Sequence, residues 1–199
     1  MNKRMLNLSK IIVLGLLLSF STKDAEAPAW NIDNSHSSIR FEVTHFFTPV
    51  AGSFKDFDGN LNFDPENLES SSASFTIQIA SVETDNEKRN GHLQSEDFFD
   101  AKKYPEMKFT SSSFAKNGED YTIIGNLTIR DITKEISVPV KVLGIGDHPM
   151  KKGKLNMAMR AEFSLNRNDY EVGSGSWTAT AVVGVEVKVS VLLEANRNK

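Results

Sequence analysis

Apolar and polar side chains alternate along most of the chain beyond residue 37. In one example, Ile39, Phe41 and Val43 are separated by charged residues. This period of two is typical of a strand that buries one face, because successive side chains point to opposite sides. The alternation occurs eight times, over residues 39–43, 57–63, 75–79, 107–110, 123–129, 136–142, 155–165 and 183–191. The chain is therefore predicted to be an all-β protein with eight strands.

Segments rich in turn-forming residues separate these strands, at 64–67, 116–120, 144–153 and 166–176. Phe54 breaks the alternation of the strand that follows, which predicts a bulge or bend near Lys55 and Asp56. Pro139 lies on a polar face and should mark an edge, a bulge or a barrel corner. Eight long antiparallel strands favour a closed barrel over a sandwich. Such a barrel either fills with side chains or holds one small ligand.

One segment departs from the alternation and is predicted to be helical. Thr84 and Glu87 have the spacing of a capping box. In that motif the Thr84 hydroxyl accepts a hydrogen bond from the Glu87 amide, while Glu87 reaches back. A short helix is expected from about Asp85 to Leu93, between two strands, and Gly91 would weaken it.

The N-terminus has the pattern of a secretory signal peptide. Three basic residues accompany a ten-residue apolar run at 11–20, which is too short to span a bilayer. Small residues follow, so residues 1–29 are predicted to be a signal peptide cleaved near 27–29, after Ala27 or Ala29. The remaining domain, 30–199, should be periplasmic or secreted. Without a cysteine to carry a lipid, no stable membrane anchor is expected.

Composition excludes several classes of function. The chain has 23 basic and 26 acidic residues. Residues 1–29 hold four of the basic and two of the acidic residues, so the part of the chain after residue 29 has a formal charge of −5. No basic run remains, so neither nucleic-acid binding nor electrostatic docking on an anionic membrane is expected. The absence of cysteine excludes disulfides, thiolate metal sites and a cysteine nucleophile.

The stretch NGHLQSEDFFDAKKYPEMKF, residues 90–109, suggests an active site at first inspection. His92 and Glu96 are spaced like two metal ligands on one helical face. A catalytic zinc site needs three protein ligands, however, and the chain has no His-x-His or His-Glu-x-x-His motif. We therefore predict no metal, no cofactor and no catalytic residue. An enzyme that uses His92 with Glu96 or Asp97 is the alternative hypothesis.

The predicted strands carry no charge at the centre of their apolar faces. From the residues alone, a filled core and a long apolar cavity for a lipid chain both stay open. The 13 phenylalanines and the pair Met157 and Met159 suit an adaptable apolar lining. After the seventh strand, Arg167 and Asp169 either form an ion pair or close the mouth of a barrel.

Five segments, taken in order, carry a family resemblance. They read WNIDNSHSSIRFEVTHF, GSFKDFDGNLNFD, SVETDNEKRNGHLQSEDFFDAKKYPEMKFTS, GNLTIRDITKEISVPV and AEFSLNRNDYEVG. Together they resemble the YceI-like family of polyisoprenoid-binding, lipocalin-like bacterial proteins. The resemblance extends from Trp30 to about Glu194, and the central segment is its longest and most specific part.

This resemblance implies an extended eight-stranded antiparallel lipocalin-like barrel, exported from the cytoplasm, with a short helix between strands. It favours the cavity over the filled core, for carriage or storage of a long-chain amphiphile such as a polyisoprenoid, an isoprenoid quinone or a fatty lipid. The expected apolar lining is Phe41, Val43, Phe75, Ile77, Phe109, Leu127, Ile129, Met157, Phe163 and Val187. The expected residues near a polar head group are His36, His92, Arg167 and Asp169.

The chain departs from the family pattern at two turns. Asp131 stands where the family often has glycine, and Asp169, Tyr170 and Glu171 stand where it often has Asp-Phe-Gly. The second departure would alter the mouth of the barrel and its choice of head group. A ligand-free structural or stress-response barrel is another alternative, and a homodimer is an open possibility.

Overall fold

The computed structural model describes residues 26–178 and 182–199, so nearly all of the predicted signal peptide lies outside the described residues. The strands are β1 (Ala29–Ile32), β2 (Ser38–His45), β3 (Thr48–Phe54), β4 (Phe57–Asn62), β5 (Ser72–Gln78), β6 (Val82–Glu83), β7 (Glu106–Asn117), β8 (Asp120–Ile129), β9 (Ile132–Asp147), β10 (Lys154–Asn166) and β11 (Val183–Asn198). The α-helix is α1 (Glu87–Leu93), and short 3-10 helices occupy Leu68–Ser70, Ile79–Ser81, Arg167–Tyr170 and Gly175–Thr178. Across these described ranges, no helix is long and apolar enough to cross a membrane.

The strands form one closed antiparallel barrel. Neighbours follow the order β1-β4-β5-β7-β8-β9-β10-β11-β2-β3-β6, and β1 also pairs with β11. One edge of β11 pairs first with β2 and then, at Ala195 and Asn196, with β1. The segments β1 and β2 therefore act as one strand of the wall, and β3 and β4 together act as the next. The short strand β6 pairs with β3 at only two positions and adds no strand to the wall. The wall has eight strands, as the alternation and the family resemblance predicted.

Both predicted irregularities mark places where strand pairing changes. The chain leaves β3 at Phe54 and starts β4 at Phe57, exchanging its pairing with β2 for pairing with β5. Pro139 lies opposite Thr122 of β8, just before the pairing of β9 with β10 begins at Val140. Proline lacks an N–H to donate, so it is tolerated where one neighbouring strand has separated.

The predicted capping box is wrong. The helix α1 begins at Glu87, and its N-cap is Asn86, whose side chain accepts a hydrogen bond from the Arg89 amide at 3.0 Å. Asp85 has a φ of 58°, a left-handed conformation that cannot start a right-handed helix. The Thr84 hydroxyl donates instead to the Asn90 side chain at 2.6 Å.

Two groups of buried residues divide the barrel along its length. The closed-end cluster fills one end and includes Trp30, Leu61, Phe63, Phe114, Tyr121, Met157 and Ala195. Trp30 anchors it, since its indole N–H donates to the Phe63 carbonyl at 2.9 Å. The helix-side cluster packs near α1 and includes Phe54, Phe57, Ile79, Val82, Phe98, Met107, Tyr170 and Val172. Side chains close one end of the barrel, and the interior between the two groups is left partly open.

Candidate ligand-binding cavity

The barrel encloses a cavity of about 580 Å³. A volume of this size matches ligand pockets of small molecules, which are concave and mostly apolar. At its closed end the lining includes Ile123, Val140, Met159 and Leu193. At the other end it reaches α1, the strand residues His45 and Val50 on either side of the turn between β2 and β3, and the residues that follow β10. We call this second end the mouth.

Nine of the ten apolar residues expected to line a cavity do so: Phe41, Val43, Phe75, Ile77, Phe109, Leu127, Ile129, Phe163 and Val187. Met157 does not, although it has the inward parity of β10. It is only 1% exposed and packs in the closed-end cluster, opposite Ala195. The lining passes to Met159, two residues further along.

Two of the four predicted head-group residues lie outside the cavity. His36 forms a pair with Asp33, with 3.0 Å between the ring Nδ1 and the carboxylate. This hydrogen bond raises the pKa of His36 and lowers the pKa of Asp33. Asp169 lies 3.6 Å from the Lys134 ammonium and does not pair with Arg167. Both residues are exposed, so their ion pairs add little to stability.

Three cavity-lining phenylalanines lie flat over glycines of the neighbouring strand. Phe41 covers Gly52, Phe75 covers Gly59, and Phe109 covers Gly125. A Cβ atom on Gly59 would lie 2.5 Å from the Phe75 ring, and one on Gly125 would lie 2.6 Å from the Phe109 ring. Because glycine has no side chain, each ring can lie against the wall and leave the interior open. In the sequence, the sign of this arrangement is a glycine at an inward-facing position of a strand.

Replacing Gly125 with alanine is expected to destabilise the protein by about 2 kcal/mol, by overpacking. The new Cβ would lie 2.5 Å from the Thr110 carbonyl oxygen and 2.8 Å from the Ser111 Cα, which are backbone atoms that cannot move independently. Urea denaturation measures the effect. Gly144→Ala is the matched control within a strand, since nothing lies within 4 Å of its added Cβ. Equal stability of the two variants would contradict this account.

His92 lies at the mouth, in contact with two aromatic rings. Its ring centroid is 5.0 Å from that of Phe98 and 4.9 Å from that of Trp177, both edge-on. Its Nε2 is 2.9 Å from an Asp97 carboxylate oxygen. The helix ends at Leu93, so Glu96 does not share a helical face with His92 as the spacing suggested. Phe98 and Phe99 anchor the loop that follows α1, since Phe98 is buried and Phe99 packs edge-on against Phe54.

Arg167 organises the loop that forms one side of the mouth. It is 5% exposed, and its guanidinium donates to five backbone carbonyls. The acceptors are Val172, Gly173, Trp177, Val183 and Gly184, at 2.7–3.0 Å. Burial lowers the pKa of Arg167 from its ordinary value. Since a guanidinium has five N–H donors, none is left for a ligand.

The departure from the family pattern at Asp169, Tyr170 and Glu171 lies in the turn that follows Arg167. Tyr170 is 2% exposed, and its hydroxyl has no hydrogen-bond partner among the described residues. Burial, with a smaller contribution from the charge of Asp169, raises the pKa of Tyr170. Glu171 has a φ of 53°, which is the left-handed conformation that glycine adopts at least cost. The chain therefore keeps the turn, but Glu171 is in a strained backbone conformation that a glycine would adopt without strain.

The sequence pattern did not identify Arg89 as a mouth residue. Its Nε donates to the Thr84 hydroxyl at 2.8 Å, and its Nη2 donates to the Thr84 carbonyl. Thr84 is 4% exposed and is itself fixed by Asn90. Arg89 and its neighbour Lys88 both line the cavity. A helix of seven residues is too short to show a clear periodicity, so no signal in the sequence marked its inner face.

Comparison with known proteins gives a consistent result. A family model described as a YceI-like domain matches residues 30–195. The protein YceI of Escherichia coli O17:K52:H18 is 34% identical over 176 residues, which cover 85% of this chain and 91% of that protein. Because the match covers almost the whole of that protein, the two proteins are similar over an entire domain and not only over a short motif.

Solved structures show the same architecture. BcnA of Burkholderia cenocepacia superposes with a TM-score of 0.75 and 30% identity, over 83% of this chain and 99% of that one. A polyisoprenoid binding domain from Saccharophagus degradans, implicated in plant cell wall breakdown, gives a TM-score of 0.61 and 16% identity. That match covers 83% of this chain and 97% of the other, and at this identity it supports the fold alone.

Proposed function

Because this chain belongs to the YceI-like family, we propose that it is an exported protein that carries or stores a long-chain amphiphile in its barrel. The ligand class is a polyisoprenoid, an isoprenoid quinone or a related fatty lipid. The observation that carries this proposal is the cavity of about 580 Å³, whose walls are mainly apolar and are apolar throughout its closed end. The likeness to a polyisoprenoid binding domain supports it. The signal-peptide pattern at 1–29 supports export to the periplasm or the medium.

Apolar burial accounts for affinity without a polar anchor at the closed end. Each CH₂ group transferred from water contributes about 0.8 kcal/mol, so a chain of ten carbons gains several kcal/mol even after its loss of conformational freedom. The phenylalanines that cover glycines keep this space open. The closed-end cluster stops the chain from passing through the barrel.

The test is to purify the mature protein under native conditions and analyse an organic extract by mass spectrometry. A long-chain amphiphile is expected at a stoichiometry near one per protein. The ligand-stripped protein should take up added polyprenyl lipid, and native mass spectrometry of the same sample distinguishes a monomer from a homodimer. Repeated absence of both a bound lipid and lipid uptake would contradict the proposal.

The pair of His92 and Asp97 is the one observation that favours catalysis. A histidine 2.9 Å from a carboxylate at the mouth has the arrangement of a general base and its orienting group. The discriminating variant is His92→Ala, assayed for both lipid uptake and turnover of the bound lipid. Loss of a turnover activity with uptake intact would favour an enzyme, whereas a carrier keeps uptake and has no turnover to lose.

A further inference from the structure

The charged residues that line the cavity all have the same sign. Among the described lining residues they are Arg40, Lys88, Arg89, Arg160 and Arg167, and none is Asp or Glu. The whole chain has more acidic than basic residues, 26 against 23, so this selection does not follow from composition. The charged residues beside the cavity are therefore all basic, although the chain as a whole is acidic.

Three of these cations lie at the mouth. Lys88 and Arg89 belong to α1, and Arg167 lies in the loop beside it, whereas Arg40 and Arg160 occupy exposed positions of β2 and β10. No carboxylate within the described ranges lies within ion-pair distance of Lys88, Arg89 or Arg167. Their charges are therefore not neutralised by the protein at this point.

Arg89 is the cation best placed to bind a ligand. Its Nε and Nη2 are held by the buried Thr84, which fixes the plane of the guanidinium. Its Nη1 makes no hydrogen bond to the part of the chain that the structure describes. Fixed guanidinium groups bind phosphate and carboxylate oxygens strongly because their donors match the spacing of those oxygens.

Two acidic residues near the mouth, Glu83 and Asp97, are bound to other partners. Glu83 accepts hydrogen bonds from the Asn90 side chain at 3.0 Å and from the Asp85 amide at 2.6 Å. The bond from Asn90 is the main cause of the lowered pKa of Glu83. Asp97 is engaged by His92. Neither carboxylate belongs to the cavity lining, so neither opposes an anion there.

The apolar end of the cavity fixes the orientation of an amphiphile. That end is lined by four residues of the closed-end cluster, Ile123, Val138, Val140 and Leu193. A charged group buried there would be left without a partner, at a large cost. A polar head must therefore lie at the mouth, beside Lys88 and Arg89.

We propose that the ligand of this barrel carries an anionic oxygen head, a phosphate or a carboxylate, which Arg89 binds with support from the charge of Lys88. The inference rests on the proposed function and narrows it, because neutral lipids such as quinones and free alcohols are then the weaker ligands. Arg167 contributes positive potential but no hydrogen bond, since its donors are all used.

The test compares lipids that share a chain and differ in the head. Farnesyl phosphate is paired with farnesol, and palmitate with hexadecanol, each measured by displacement of a fluorescent apolar probe from the stripped protein. In the natural protein at least one anionic lipid should bind about 10- to 100-fold more tightly than its neutral partner, the effect of one charge-assisted contact. The pair that shows the difference identifies the head as phosphate or carboxylate. Raising the salt concentration should reduce the difference.

Variants locate the effect. Arg89→Gln should lose most of the anionic preference while affinity for farnesol stays unchanged, which also shows that the cavity is intact. Arg89→Lys should retain part of the preference. Lys116→Gln is the control, an exposed lysine in the hairpin at the closed end, and should retain all of it.

Three results would overturn the inference, and they are distinguishable. Equal affinity for charged and neutral partners in the natural protein would exclude an anionic head but leave the carrier function standing. If Arg89→Gln instead weakens charged and neutral lipids alike, the preference of the natural protein does not come from Arg89, and the assignment of the head group to Arg89 is wrong. Failure of all four lipids to bind would instead overturn the proposed function together with this inference.

Discussion

The variant Val189→Trp is expected to bind a long-chain amphiphile about 1,000-fold more weakly than the natural protein. Val189 lines the cavity and lies in register between Phe41 on one side and Phe163 on the other, both of which also line it. An indole at this point would occupy space that the chain of the ligand needs. If it excludes one isoprene unit of five carbons, the loss is about 4 kcal/mol at 0.8 kcal/mol per carbon, which corresponds to about 1,000-fold in affinity.

Titration of the stripped protein with a fluorescent polyprenyl lipid measures this effect. Ser190→Trp is the matched control, because Ser190 is the next residue of β11 and lies in a shallow outer groove with Glu162 and Lys188. That control should bind normally. Unfolding curves must show that Val189→Trp is folded, and normal binding by a folded Val189→Trp protein would show that the barrel interior is not the site.

Arg167→Gln is expected to lower the free energy of unfolding by at least about 4 kcal/mol. The substitution leaves five backbone carbonyls without their shared donor, and a buried polar group that loses its partner costs about 1–3 kcal/mol. Some of these carbonyls will find water, so the full sum is not reached. For a domain of this size the melting temperature should fall by roughly 10 °C.

Chemical denaturation gives the free energy of unfolding of Arg167→Gln, and comparison with Arg160→Gln shows how much of the loss is due to the burial of Arg167. Arg160 lies on β10, the strand that ends just before Arg167, but it is exposed, so its replacement should change stability by no more than about 0.5 kcal/mol. Arg167→Lys should be nearly as damaging as Arg167→Gln, since one ammonium cannot reach carbonyls on two sides of the loop. A loss below about 1 kcal/mol in Arg167→Gln would mean that the loop holds its shape without the guanidinium.

Loss of Arg167 should also alter the mouth. Its acceptors come from both sides of the loop, Val172 to Trp177 before it and Val183 with Gly184 after it. Gly184 lies where the register between β11 and β2 shifts, so the arginine stabilises an irregular part of the wall. Trp177 in turn contacts His92 on α1. Arg167 thereby connects the strand wall to the helix at the mouth.

Much of the cavity could be predicted from sequence because alternation directly reports the face of a strand. Phe75 and Ile77 on β5, and Leu127 and Ile129 on β8, were placed inside by parity and do line the cavity. Parity does not report depth along the barrel axis. Met157 and Met159 have the same parity and both belong to the closed-end cluster, yet only Met159 also lines the cavity.

Head-group residues were harder to predict because loops and short helices have no such period. His36 and Asp169 were chosen by residue type, and each instead pairs with a nearby charged group, Asp33 and Lys134. Arg89 was missed because its inward position depends on the buried Thr84 and on the left-handed Asp85 that precedes α1. Arg167 does line the cavity at its mouth, but its donors serve the backbone and not a ligand.

The sequence by itself determined the strand pattern, the number of strands in the wall and the apolar character of the interior, because each depends on contacts between neighbours along the chain or on side-chain type. Only the tertiary structure decided which part of the interior stays open. That depends on rings packing over glycines of the neighbouring strand, as Phe109 on β7 does over Gly125 on β8. The tertiary structure also decided the charge of the mouth. Arg89 and Arg167 are far apart in the sequence and both reach the mouth only through folding, so no local sequence pattern predicts that they line the same cavity.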